Sequence, residues 1–249
     1  MSSSANPYPA LARPAEVLST PELFAAVLEL EPKIAVFDCD GTLWSGDAGS
    51  SFMWWTMDNG ILSTEKIAHL QERYDGYLRG DVSELEICGN MVQVYAGIPV
   101  DRMREAAATF FRERIAEHVF PELQELIAKL RERGTEIWAV SSTNDWVIEE
   151  GVRQFNIPSN RVLAARVAEE HGIITDRLLD VPTDEGKVTA LRNAGVTAPD
   201  AVFGNSVHDA AMLAIARRAF PVNPSTALLE RSGSEGWPVF WPASVLPSL

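Results

Sequence analysis

Residues 37–43 read Phe-Asp-Cys-Asp-Gly-Thr-Leu, and they complete an apolar run that starts at Ile34 and is typical of a short buried strand. The carboxylates of Asp38 and Asp40 are two residues apart, so they leave the strand end on the same side. Gly41 then allows the chain to turn sharply. One carboxylate can attack an electrophile while the other transfers a proton, but Asp and Gly are also ordinary turn residues. The rest of the chain decides between these two interpretations.

Three later segments place polar residues at further strand ends or helix starts. The apolar residues 137–140 predict a second strand, which ends in Ser-Ser-Thr-Asn at 141–144. Lys187 begins a pattern with helical spacing of its apolar residues. Residues 201–204 predict a third strand, and it leads into Asn-Ser-Val-His-Asp at 205–209. Each segment alone is weak evidence for a functional site, but the order and spacing of the segments together favour a catalytic site.

This series of segments resembles the four motifs of the haloacid dehalogenase superfamily, most of whose members are magnesium-dependent phosphatases. The all-helical pattern between the first two motifs resembles the C1-type cap of the phosphoserine-phosphatase-like branch. The resemblance extends from about residue 34 to about residue 241. It implies an α/β fold, with a Rossmann-like parallel sheet core and an inserted all-helical cap domain.

The alternation of strand and helix patterns independently predicts a mostly parallel sheet, with ligands at the carboxyl ends of its strands. We predict a disordered N-terminal tail over residues 1–18, a catalytic core over 19–46 and 120–249, and a helical cap over 47–119. Ser63 and Gly80 are expected to bound one cap helix. Ser83 and Glu86 form a capping box that starts the next helix, which Gly97 is expected to end, and a third is expected from Asp101 to Val119.

The resemblance implies a role for each motif residue. Asp38 would be the nucleophile that forms an aspartyl phosphate, and Asp40 would be the general acid and base. Lys187 would stabilise negative charge. Ser141 and Ser142 are expected to hold the phosphoryl group.

Thr42 belongs to the same motif and is grouped with the phosphate-binding residues, although support of the turn suits it better. Asp47 lies where phosphoserine phosphatases carry a Glu that meets the substrate's amino group. It could therefore bind an amine, or it could equally be a helix N-cap.

The expected cofactor is Mg²⁺, and its expected ligands are Asp38, Asp40 through its main-chain carbonyl, Asn205 and Asp209. Asn205 departs from the family pattern, because most phosphatases of this branch have Asp there. Asn is still an acceptable oxygen ligand, but we expect weaker Mg²⁺ binding from the loss of one charge. His208 is expected to support the site or a helix start.

Three alternative functions stay open. Haloacid dehalogenases also carry Asn in the fourth motif and work without metal, but they lack the counterpart of Asp40. A phosphotransferase would use the same aspartyl-phosphate chemistry. A non-catalytic protein that binds a phosphate ligand would be expected to have lost Asp38, Asp40 or Lys187, and all three are present. A metal-dependent phosphatase for small phosphate monoesters is the favoured interpretation.

The predicted cap departs from phosphoserine phosphatases at two positions. Glu84 stands at their usual Phe, and Met91 stands at their carboxylate-binding Arg, so free phosphoserine is disfavoured as a substrate. The cap is also rich in aromatic residues, for which core packing is the favoured explanation and a cation–π pocket for a quaternary amine is the alternative. These residues are Trp44, Phe52, Trp54, Trp55, Tyr74 and Tyr77.

The composition limits the possible partners. The formal net charge of the 249 residues is −14, which argues against nucleic acid or an anionic membrane. A hydrophobic content of 46% and the lack of a long apolar run favour a globular protein, and two cysteines fit a reducing compartment. The N-terminus does not resemble a secretory signal. We therefore expect a cytoplasmic enzyme acting on a small phosphorylated metabolite, with its oligomeric state undetermined.

Overall fold

The computed structural model describes residues 14–245, and its centre is a six-stranded sheet. The strand order is β5-β4-β3-β2-β6-β7, in which β2, β3, β4, β6 and β7 pair in parallel and β5 is antiparallel to β4. A separate parallel pair joins β1 to β8. The strands are β1 Val17–Leu18, β2 Ile34–Phe37, β3 Glu136–Asn144, β4 Val162–Glu170, β5 Ile173–Asp180, β6 Ala201–Gly204, β7 Arg218–Pro221 and β8 Val239–Phe240.

Helices cover both faces of this sheet, because successive side chains of its buried strands point to opposite sides. Phe37 of β2 packs in one apolar cluster with Leu23 and Leu126, whereas its neighbour Val36 packs in a second cluster with Leu191. The helices are α1 Thr20–Leu28, α2 Ala48–Asp58, α3 Thr64–Arg79, α4 Glu84–Gln93, α5 Val100–Arg114, α6 Pro121–Glu132, α7 Asp145–Val152, α8 Glu185–Asn193, α9 Ala210–Ala214 and α10 Thr226–Glu235. The predicted α/β class with a largely parallel sheet is confirmed.

Helices α2 to α6 occupy the chain between β2 and β3, where the sequence predicts only helices. Ser63 caps α3 and Gly80 ends it in a left-handed conformation, as expected. The capping box of Ser83 and Glu86 is present at the start of α4. None of the helices within residues 14–245 is both long and apolar enough to cross a membrane.

Three predicted boundaries were wrong. The tail was expected to be disordered to residue 18, but Val17 and Leu18 pair with β8; residues 1–13 lie outside the described chain. Helix α4 ends at Gln93, before Gly97, because the main chain at 97–100 pairs instead with residues 172–174. Helix α5 stops at Arg114, and a short 3₁₀ turn follows before residue 119.

The segment after α7 forms an antiparallel hairpin of β4 and β5. His171 and Gly172 form its two-residue turn with φ of 52° and 77°. Positive φ at both positions is typical of the type I′ turns that connect paired strands. The hairpin places β5 at the edge of the sheet, where a Cβ at Gly89 of α4 would lie 3.4 Å from Leu178 Cδ2.

Candidate active site

The Asp38 carboxylate lies immediately after β2 and is almost fully buried. Its Oδ1 is 2.7 Å from Lys187 Nζ, and its Oδ2 accepts a hydrogen bond of 2.8 Å from Thr42 Oγ1. Burial and the charge of Asp209 raise the pKa of Asp38 to about 7, against the opposing effect of Lys187. Asp38 is therefore held rigidly, with its charge only partly balanced.

Lys187 joins two buried carboxylates. Its Nζ is 2.7 Å from Asp38 Oδ1 and 2.5 Å from Asp209 Oδ1. Burial alone would lower the pKa of Lys187, but the charges of Asp209 and Asp38 outweigh that effect and raise it above its ordinary value. Lys187 is thus a permanent cation at the centre of the site.

The Asp209 carboxylate is engaged by protein donors at both oxygens. Oδ1 contacts Lys187, and Oδ2 accepts hydrogen bonds from the main-chain N–H groups of Asn205 and Ser206 at 2.8 and 2.9 Å. A Cβ at position 204 would lie 2.6 Å from Asp209 Cβ, so Gly204 permits this close approach. Asp209, expected as a metal ligand, holds Lys187 and the turn that carries Asn205.

The turn after Asp40 packs directly against Asn205. Gly41 has a φ of +71°, and a Cβ there would come 1.9 Å from Asn205 Nδ2. Only glycine satisfies both the conformation and the contact without a shift of its neighbour. The first and fourth motifs therefore meet at the carboxyl ends of the adjacent strands β2 and β6.

Asp40 is the acceptor of a dense hydrogen-bond network. Oδ1 accepts from Trp44 Nε1 at 2.7 Å and from the Ala48 N–H at 2.8 Å, and Oδ2 accepts from Thr143 Oγ1 at 2.7 Å. Burial, and then the charge of Asp47, raise the pKa of Asp40 to about 6, although these hydrogen bonds act in the opposite direction. A carboxyl group with this pKa can both donate and accept a proton near neutral pH.

A cavity of about 260 Å³ opens between this edge of the sheet and helices α2, α3 and α4. Asp38, Asp40, Lys187 and Asn205 line its floor together with Ser141 and Ser142. Ser141 Oγ accepts a hydrogen bond of 3.1 Å from the Thr143 N–H, which leaves the Ser141 hydroxyl hydrogen free to point at a ligand.

Two predicted binding residues take supporting positions. Thr42 is fully buried outside the cavity lining, so its grouping with phosphate-binding residues was wrong: it donates to Asp38. Asp47 lines the cavity but also caps α2, since its carboxylate accepts from Ser50 N at 3.0 Å and from Ser50 Oγ. The helix-cap interpretation of Asp47 is therefore correct, and the carboxylate still faces the cavity.

The aromatic residues of the helical segment divide into two groups. Tyr74 and Tyr77 line the cavity. Trp44 and Phe52 are fully buried in packing contacts, and Trp54 packs edge-on against Tyr74 at 5.5 Å between ring centroids. Core packing thus explains most of this aromatic content.

Several functional contacts were missed from the sequence. Thr143 and Trp44 both hold Asp40, and Glu84 lines the cavity from the start of α4. Thr143 follows Ser141 and Ser142 near the end of a strand, so its position in the sequence already indicated that it lies at the site. His208 Nδ1 lies 2.8 Å from Asp184 Oδ1 at the cavity rim, in keeping with the supporting role expected for it.

The oxygen atoms at the cavity floor fit a hard divalent cation. Asp38, Asp40 and Asn205 offer carboxylate, carbonyl and amide oxygens, which are the ligands that Mg²⁺ prefers. Within residues 14–245 no group of three His, Cys, Asp or Glu side chains is placed to hold a metal, so a site here would also need a main-chain carbonyl or an amide oxygen. Asp38, Asp40 and Asp209 together carry more negative charge than Lys187 balances, so a cation is also electrostatically favoured.

Comparison with known proteins identifies relatives for most of the chain. The family model of haloacid dehalogenase-like hydrolases matches residues 35–214. A histidinol-phosphatase of Neisseria meningitidis is 23% identical over 216 residues, which are 83% of this chain and 97% of that protein.

Solved structures share the fold. A protein of unknown function from Bordetella pertussis is 22% identical, with a TM-score of 0.71 over 83% of this chain and 97% of its own. A phosphoserine phosphatase, solved as an analogue of its phospho-aspartyl intermediate, is 15% identical, with a TM-score of 0.56 over 84% of this chain and 93% of its own. At these identities the likeness establishes a common fold.

Proposed function

The chain belongs to the haloacid dehalogenase-like hydrolases, and we propose that it hydrolyses a small phosphate monoester with Asp38 as the nucleophile. One observation carries the proposal: a buried carboxylate, held by Lys187 and Thr42, faces a small cavity beside a second carboxyl group with a pKa near neutrality. The relatives named as histidinol-phosphatase and phosphoserine phosphatase support the same reaction class.

In the first step a carboxylate oxygen of Asp38 attacks phosphorus. The new bond from Asp38 to phosphorus forms while the ester oxygen leaves, and Asp40 gives that oxygen its proton. Lys187 compensates charge on Asp38 during the attack. Ser141, with its free hydroxyl hydrogen, donates to a phosphoryl oxygen.

In the second step water releases the phosphoryl group. The ionised Asp40 takes a proton from the water as the water oxygen attacks phosphorus, and the bond to Asp38 breaks. The net reaction of the two steps converts the phosphate ester and water into the alcohol and inorganic phosphate. Asp38, the Asp40 carbonyl and Asn205 would hold Mg²⁺, which when bound neutralises charge on the phosphoryl oxygens.

The test is phosphate release from a panel of small monoesters, with Mg²⁺ and with chelator. Asp38→Asn is expected to lower turnover by at least about a thousandfold without loss of fold, because it removes the nucleophile. Asp101→Asn, an exposed Asp at the start of α5, is the matched control and should leave turnover unchanged. Turnover that survives in Asp38→Asn would exclude this mechanism, and halide release without metal would make the protein a dehalogenase.

A further inference from the structure

The cavity wall opposite the reacting groups is formed by helices α3 and α4 and the start of α2, and its charged side chains are acidic. Glu84 and Asp47 line it together with Tyr74, Tyr77 and Met91. Lys187 is the single lysine or arginine among the described residues that line the cavity, and both of its ion-pair contacts are with Asp38 and Asp209. The part of a substrate that lies beyond the phosphate therefore meets negative charge and aromatic surface.

Within residues 14–245 no lysine or arginine lies within 4.0 Å of the carboxylate of either acid. Asp47 is engaged by the N–H and Oγ of Ser50 as the N-cap of α2, whereas the side chain of Glu84 caps no helix and is 18% exposed. Its nearest basic atom is His208 Nε2, at 3.9 Å from Oε2, and His208 is itself engaged by Asp184 through Nδ1 at 2.8 Å.

The other neighbours of Glu84 are neutral donors. The Cys88 thiol lies 3.5 Å from Glu84 Oε1. Burial, and then the charge of Glu84, raise the pKa of Cys88, and burial and interaction with Glu84 raise the pKa of Tyr77. Both groups therefore stay uncharged, and the negative charge of Glu84 is directed at the cavity without a full counter-ion.

We infer that Glu84 determines specificity by pairing with a positively charged leaving group, so that the substrates are phosphate esters of small amino or quaternary-ammonium alcohols. This inference rests on the proposed phosphatase function and deepens it. The aromatic faces of Tyr74 and Tyr77 suit the carbon groups around such a cation. An ester with a carboxylate in its leaving group would face Glu84 and Asp47, with Met91 in place of any cation, and is disfavoured.

The test compares esters of similar shape and different charge. Phosphocholine and phosphoethanolamine carry a cation, 3,3-dimethylbutyl phosphate is the neutral counterpart of phosphocholine, and phosphoglycolate carries an anion. We expect kcat/KM to favour the better cationic ester over the neutral one by about tenfold or more. Glu84→Gln is expected to lower that ratio about tenfold, and Glu84→Lys to shift the preference toward phosphoglycolate.

The matched control is Glu72→Gln, which removes one charge from an exposed position of α3 outside the cavity and should leave the ratio unchanged. The use of a ratio separates a specificity role from a general loss of folded enzyme. An equal ratio in wild type and Glu84→Gln, or a wild-type enzyme that prefers the neutral or anionic ester, would overturn the inference.

Binding to the Asp38→Asn protein, measured by calorimetry with the same esters, separates this inference from the proposed function. The inference would be supported if the cationic ester binds preferentially and Glu84→Gln removes this preference. If this binding is found but no ester is hydrolysed, only the proposed function is refuted. Equal binding of all esters, or binding of none, would refute the role assigned to Glu84.

Discussion

The ammonium group of Lys187 is enclosed with the carboxylates of Asp38 and Asp209 at the carboxyl edge of the sheet. Lys187→Met would leave two buried carboxylates without a cation, which costs about 3–5 kcal/mol of the free energy of unfolding. Urea unfolding should show this loss. Lys129→Met, at an exposed surface ion pair with Glu125, is the control and should change stability by less than about 1 kcal/mol.

A second variant tests the cause of that loss. Adding Asp209→Asn to Lys187→Met removes one of the two uncompensated charges and should recover part of the stability. A double variant no more stable than Lys187→Met alone would show that packing, and not charge, explains the effect.

Asp145 at the start of α7 is a half-buried acid outside the cavity. Its Oδ1 is buried without a hydrogen-bond partner, and burial, followed by the charges of Glu149 and Glu169, raises its pKa to about 7. Because the folded pKa lies above the unfolded value of 3.8, the unfolded state ionises first, and Asp145 destabilises the fold progressively as pH rises from about 4 to 7.

Asp145→Asn should therefore raise the free energy of unfolding at pH 8, by up to about 4 kcal/mol, and should have little effect below pH 4. Thermal unfolding across this pH range measures the difference. Asp101→Asn, in the first turn of α5, is the exposed control. A stabilisation that does not depend on pH would contradict the assignment.

At the scale of elements, α4 carries Glu84 into the cavity and depends on the capping box at its start. Ser83 Oγ accepts a hydrogen bond of 3.3 Å from the Glu86 N–H, and Glu86 Oε2 accepts one of 3.0 Å from the Ser83 N–H. Ser83→Ala removes the first and should lower the free energy of unfolding by about 1 kcal/mol. Ser83→Thr keeps an acceptor and should restore most of that stability; equal losses in denaturant titrations would contradict the role of the cap.

The predicted elements were most accurate where a local pattern defined them. Caps at Ser63 and Ser83 and the left-handed Gly80 follow from nearby residues alone. The predicted end of α4 was wrong because the Gly97 N–H donates a hydrogen bond of 2.8 Å to the Ile174 carbonyl. These residues are 77 positions apart, so no local sequence pattern predicts the contact.

At the scale of the whole molecule, negative charge is concentrated where the motifs meet. Asp38 and Asp209 pair with Lys187, and Asp40 adds a third carboxylate to the same site, within a protein of net charge −14. If Asp38, the Asp40 carbonyl and Asn205 hold Mg²⁺, the ion should stabilise the folded state, by about 2.7 kcal/mol at a concentration of one hundred times its Kd.

Thermal unfolding with increasing Mg²⁺ measures this effect, with NaCl at matched ionic strength as the control. Asp38→Asn should weaken the Mg²⁺-dependent rise in Tm, because it removes a ligand. A rise that is the same in NaCl, or unaffected by Asp38→Asn, would reflect general screening and would count against a metal at this site.

The α/β class and the positions of Asp38, Asp40, Ser141 and Lys187 could be predicted from the sequence. Asp38 and Asp40 follow β2, Ser141 lies near the carboxyl end of β3, and Lys187 lies in the first turn of α8. Such positions follow from short-range periodicity and turn residues. Parallel strands then bring their carboxyl ends to one edge, so proximity of the motifs also follows.

The partners of these residues depended on tertiary structure. Thr143 holds Asp40 across 103 positions of sequence, and Asp209 engages both Lys187 and the main-chain N–H of Asn205. Thr42 donates a hydrogen bond to Asp38, and Glu84 lines the cavity because α4 packs over the edge of the sheet. Such contacts are set by strand order and helix packing, whose determinants are distributed over the whole chain and leave no local pattern to read.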